Sequence, residues 1–149
     1  MRISTIAVLV FRTLVVLRAA YAALLCIAVL AYRFGFGNYV AIEEHLGQVL
    51  MDMPIRDFAI WGAFVVGYVI AAILLLLRSR LALPVYAAAF ATDFMLSLYW
   101  FQQPAMDRAY FGSASAVEWT LNAIDLSVIA ILLLAGRGLT GPRRRRRSG

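Results

Sequence analysis

The chain has 149 residues, enough for one domain, and 64% of them are hydrophobic, well above the roughly 45–50% of a soluble globular domain. The formal net charge is +6 and all 14 basic residues are arginine, but they flank apolar runs or crowd one tail instead of interleaving with aromatics along a groove, which excludes nucleic acid as a partner. A single cysteine, Cys26, excludes an internal disulfide, and a single histidine, His45, excludes a bis-histidine haem or a multi-histidine metal site within the chain.

The first apolar segment is predicted as a membrane span over about residues 13–34. Residues 3–12 either continue its helix or lie along the interface. Arg12 and Arg18 interrupt the apolar pattern, and Arg18 is expected to snorkel to the inner headgroups. Ala20-Tyr21-Ala22 resembles a signal-peptide cleavage site. Arg12 breaks the apolar region that a signal peptide needs, however, and the apolar run continues through Leu24, Leu25, Ile27 and Leu30, so a retained span is expected.

The next segment is amphipathic. Ile42, Leu46, Val49, Leu50 and Met53 recur at helical spacing, with Glu43, Glu44, Gln48 and Asp52 between them. The pattern predicts a short helix, opened near Asn38 and closed before Pro54, lying on the outer membrane surface. His45 falls within it and reads as a polar surface residue.

Three cleaner spans follow, over about residues 57–77, 81–101 and 117–135. Each is about 30 Å of helix at about 1.5 Å per residue, matching a hydrocarbon core of about 30 Å. Only Arg78, Ser79 and Arg80 separate the second span from the third, which predicts a tight antiparallel hairpin. Pro84 falls in the first turn of the third span, where its missing N–H costs little. Residues 137–149 are rich in Gly, Pro and Arg and read as a disordered polybasic tail. The fold class is therefore all-α: an integral membrane four-helix bundle over residues 1–136, up-down-up-down, with the amphipathic outer helix between spans one and two.

Orientation follows from the arginines. The N-terminal end, the Arg78–Arg80 turn and the tail hold eleven arginines and no acid, whereas the other side mixes Arg33, Arg56 and Arg108 with six acids. The positive-inside rule places both termini in the cytoplasm of a cell with an inner membrane. Arg143, Arg144, Arg145, Arg146 and Arg147 are the expected contact for anionic lipids, at about 1 kcal/mol each near the surface.

Two carboxylates interrupt the apolar spans. Asp93 and Asp125 both lie about 12 Å below the expected outer surface. Tyr86, Asp93, Ser97 and Trp100 share one helix face, and Glu118, Asn122 and Asp125 share another. A charge at such depth costs roughly 2.5–3.5 kcal/mol on an insertion scale, so it needs a partner, a proton or water. Asp93, Asp125, Asn122, Glu118 and Ser97 thus form the candidate intramembrane polar site. It reads first as a structural pair that locks spans three and four or binds another subunit, and second as a proton- or cation-handling site. If the two carboxylates meet, their charges repel and at least one is expected to carry a proton.

The remaining features read as packing and anchoring. Arg33 is expected at the outer headgroups. Trp61, Tyr99, Trp100, Phe101 and Trp119 form an outer aromatic belt. Ala63, Gly67 and Ala71 in the second span, and Ala19 and Ala23 in the first, permit close helix approach. The sequence holds no Gly-rich phosphate loop, HExxH, CxxC or Ser/His/Asp set, so neither catalysis, a cofactor nor a metal is expected.

One stretch carries a resemblance. Met53-Pro54, Trp61, Leu74 to Leu77 followed by Arg78-Ser79-Arg80, and then Ala82-Leu83-Pro84 resemble a group of small, largely uncharacterised four-helix inner-membrane proteins of bacteria, sometimes labelled "sugar transporter". The likeness covers about residues 53–101. It implies transport of a small solute and supplies no catalytic residue. The sequence as a whole predicts a non-catalytic membrane protein acting through lipids or other membrane proteins. The alternative is a sugar-like or proton-coupled transporter that uses Asp93 and Asp125, with a homo-oligomer or a second membrane subunit as partner.

Overall fold

An apolar segment that leaves water must satisfy its own backbone, and a helix does so within one segment. The computed structural model describes residues 5–36, 51–104 and 113–140. They hold four long helices, α1 (Thr5–Ala31), α2 (Ile55–Leu76), α3 (Ala82–Phe101) and α4 (Ser113–Thr140). All four are long and apolar enough to cross a membrane. The first apolar span covers Ile6–Phe36, longer than the 13–34 expected. Residues before Thr13 continue the helix, and a wider-turned segment, Tyr32–Phe36, prolongs it to Gly35, whose φ of 86° turns the chain away. The expected outer amphipathic helix lies outside the described residues except for its end, Met51 and Asp52, which is helical. Arg143 to Arg147 also lie outside them. α4 runs through Thr140, into the stretch expected to begin the tail.

Burial recurs at helical spacing on each element. Phe11, Val15, Ala19, Ala22 and Val29 face inward from α1, and Trp61, Phe64, Tyr68, Ala72 and Leu75 from α2. The outside is apolar as well: Ile6, Leu24, Leu77 and Leu134 are all more than half exposed. On this apolar exterior Thr92, Thr120 and Ser127 each donate to the carbonyl one turn back, at 2.9, 2.7 and 2.7 Å.

α2 and α3 form the tightest pair, joined by the hairpin the sequence predicts. The Arg78 N–H donates to the Leu75 carbonyl at 3.1 Å and the Ser79 N–H to the Leu74 carbonyl at 2.8 Å. These two bonds make a Schellman end to α2, with Arg78 in the left-handed position at φ 58°. Glycine is the usual occupant there. Arg78→Gly should therefore raise stability slightly, by about 0.5 kcal/mol, and Arg78→Val should lower it by about 1–2 kcal/mol. Thermal unfolding in mild detergent reads both. Ser79 Oγ then accepts the Leu81 N–H at 3.2 Å, helping to start α3.

Gly67 sets the spacing of this pair. A Cβ there would stand 2.9 Å from the Ala89 Cβ, whereas one at Gly62 would meet nothing within 4 Å. The small-residue series divides accordingly: Gly67 and buried Ala71 line the interior, while Ala63 is exposed. We expect Gly62→Ala to gain up to about 1 kcal/mol from helix propensity. Gly67→Ala should lose about 1–2 kcal/mol by overpacking, and adding Ala89→Gly should restore most of it. Equal effects at the two glycines would show that α2 and α3 do not approach at Gly67.

Candidate functional site

Each helix sends one or more polar side chains to a common point. α1 contributes Arg18, α2 Tyr68, α3 Tyr86 and Asp93, and α4 Asp125. Sequence reasoning places Arg18 in the inner headgroups, and the structure corrects this. Because α1 starts at Thr5 and not at 13, Arg18 lies about 20 Å along the helix. It is only 8% exposed. Its Nε lies 3.2 and 3.1 Å from the two oxygens of Asp125, and its Nη2 donates to Asp125 Oδ2 at 2.9 Å and to Asp93 Oδ2 at 3.0 Å. Its guanidinium also lies over the Tyr68 ring, 4.5 Å from the centroid.

The tyrosines complete the arrangement. Tyr68 Oη stands 2.9 Å from Asp125 Oδ2 and 3.0 Å from Asp93 Oδ2. Tyr86 Oη donates to Asp125 Oδ1, and the two tyrosine rings meet edge to face with centroids 5.1 Å apart. Asp93 and Asp125 therefore do meet, but through a shared cation. The repulsion expected of a bare pair is offset by Arg18. Charge-assisted bonds of this kind are strong in a low-dielectric interior, provided that each polar atom is satisfied.

The two carboxylates are not equivalent. Asp125 is fully buried, and both its oxygens accept bonds from Arg18 and a tyrosine. Asp93 uses Oδ2 alone; its Oδ1 accepts from no described residue and its side chain is 11% exposed. That exposure faces a cavity of about 270 Å³. Arg18 and Asp93 line one end of it, and the rest lies on the side away from the Arg78–Arg80 turn, among Trp61, Trp100, Ser97 and Glu118. Its rim residues Tyr21, Leu25 and Val117 are exposed, so the cavity opens sideways between α1 and α4, which touch little.

The remaining expected site residues separate. Ser97 Oγ donates to Glu118 at 2.6 Å across α3 and α4, and both line the cavity. Asn122 is buried one turn from Asp125 but is not part of the cavity lining. The aromatic belt divides too. Tyr99 and Trp119 are exposed, Trp61 is buried, and Trp100 is half buried with its indole N–H unpartnered among the described residues. Arg33, expected at the headgroups, donates to the Met53 carbonyl at 3.2 Å and lies over the Phe58 ring.

No family model, curated protein or solved structure matches the chain. The described residues hold no cluster of His, Cys, Asp and Glu suited to a metal ion.

Proposed function

We propose that this chain is a non-catalytic protein of a bacterial inner membrane, an up-down-up-down bundle with cytoplasmic termini, that holds a small amphiphilic molecule taken from the bilayer. The observation that carries the reading is the cavity. It is walled by aromatic and aliphatic side chains, opens sideways toward lipid, and ends on oriented polar groups. The Arg18 network beneath it joins all four helices, so the binding space rests on a rigid floor. In this reading Arg143 to Arg147 anchor the tail to anionic lipids.

Single-tryptophan forms test the binding. Bromobenzene delivered through the bilayer should quench Trp100 saturably, as at a site, and Trp119 in simple proportion to its concentration in lipid. Proportional quenching at both positions would remove the cavity from the account. For the topology, a cytoplasm-active reporter fused after Gly149 should give signal and a periplasm-active one none.

Proton-coupled transport of a small solute by a homo-oligomer is the second reading, favoured by the Asp93 oxygen that faces the cavity. It requires the sealed Arg18–Asp125 contact to open. Proteoliposome uptake that depends on Asp93 and on a proton gradient would favour it over simple binding.

A further inference from the structure

The polar groups around the cavity specify the charge of what it holds. We propose that the occupant is an organic cation, a compact ammonium head on an aromatic or branched apolar body. This deepens the proposed function and rests on it.

Among the described residues that line the cavity or lie directly behind it, one guanidinium, Arg18, faces three carboxylates: Asp93, Asp125 and Glu118. Arg18 directs its Nε and Nη2 at Asp125, which is sealed from the cavity. Its charge is thereby offset by Asp125 and Asp93 at the floor, its Nη1 donating to no described residue. Two carboxylates remain in contact with the open space. Asp93 presents Oδ1, which accepts from no described residue. Glu118 is oriented by the Ser97 hydroxyl at 2.6 Å, through Oε1, and its Oε2 accepts from no described residue.

An anion entering this space meets excess negative charge. A neutral apolar molecule fills the volume but leaves both carboxylate oxygens without a partner, which is costly away from water. A cation answers both. The walls favour it as well, because Trp61, Phe64, Trp100 and Phe101 line the same cavity, and aromatic faces attract cations most strongly where water is excluded. The sideways opening suits a ligand with an apolar body, which reaches the site from the bilayer. A strongly hydrated metal ion lacks that route and finds no suitable ligand cluster among the described residues.

Three probes of similar shape separate charge from volume: phenyltrimethylammonium, its neutral isostere tert-butylbenzene, and benzenesulfonate. Binding to the full chain in mild detergent is followed by calorimetry and tryptophan fluorescence. Phenyltrimethylammonium should bind saturably, tert-butylbenzene about tenfold more weakly or worse, and benzenesulfonate not at all. Glu118→Gln should weaken the cation by about tenfold while leaving thermal unfolding unchanged, because glutamine keeps the Ser97 bond. If tert-butylbenzene binds as tightly as the cation, or Glu118→Gln leaves cation affinity unaltered, the charge assignment is wrong and the bilayer-ligand reading survives. Should none of the three bind, and bromobenzene not saturate Trp100, both fall.

Discussion

Replacing Arg18 by methionine should be the most damaging single change in the protein, lowering stability by about 3–5 kcal/mol. Methionine fills a comparable volume and suits an apolar helix, so little of the loss reflects packing or propensity. The loss arises because Asp93 and Asp125 then share the Tyr68 hydroxyl, with Tyr86 donating to Asp125 besides, and no cation lies between them. Arg18→Lys should recover only a minor part. A single ammonium cannot reach both oxygens of Asp125 and Asp93 together while stacking on the Tyr68 ring, as the planar guanidinium does. Combining Arg18→Met with Asp93→Asn and Asp125→Leu should recover more than the lysine does, since removing all three charges of this network together leaves none of them uncompensated. Unfolding in mild detergent, with membrane-inserted yield as a second readout, ranks the series.

The second large effect is an asymmetry between the two aspartates. Asp125→Asn should cost about 2–3 kcal/mol, and Asp93→Asn about 1 kcal/mol or less. Asparagine offers one acceptor oxygen and one NH2 group. At position 125 both oxygens accept from Arg18 and a tyrosine, so the NH2 must point at donors in a fully buried space. At position 93 the amide oxygen can keep the Arg18 and Tyr68 bonds while the NH2 turns into the cavity. Equal losses at the two positions would show that Asp93 is as sealed as Asp125.

Much of this architecture is legible in the sequence, for identifiable reasons. The four apolar runs, the Arg78-Ser79-Arg80 hairpin and the matched depth of Asp93 and Asp125 follow from helical rise and spacing alone. Tyr86 is visible on the Asp93 face at i and i+7. Arg18 is misplaced because the first span is started at residue 13, after Arg12, which moves the bilayer edge toward Arg18. A helix from Thr5 puts Arg18 level with the carboxylates. The usable signal was electrostatic: two interior carboxylates demand a cation, and Arg18 sits inside an apolar run. Tyr68 gives no comparable sign, since a tyrosine among Phe64, Val65 and Ala72 reads as packing. The different surroundings of Asp93 and Asp125 depend on how α1 crosses the other helices, which no local pattern specifies. The cavity is equally invisible, because it forms where α1 and α4 separate.

Arg18 is paired with the carboxylates in the interior and is not dispersed among headgroups. A double-mutant cycle tests this most directly, with unfolding free energies for the parent chain, Arg18→Met, Asp125→Leu and the double variant in one detergent. Interior pairing predicts that the double variant loses less than the two single losses combined, by about 2 kcal/mol or more. Strictly additive losses, with no coupling between positions 18 and 125, would contradict it.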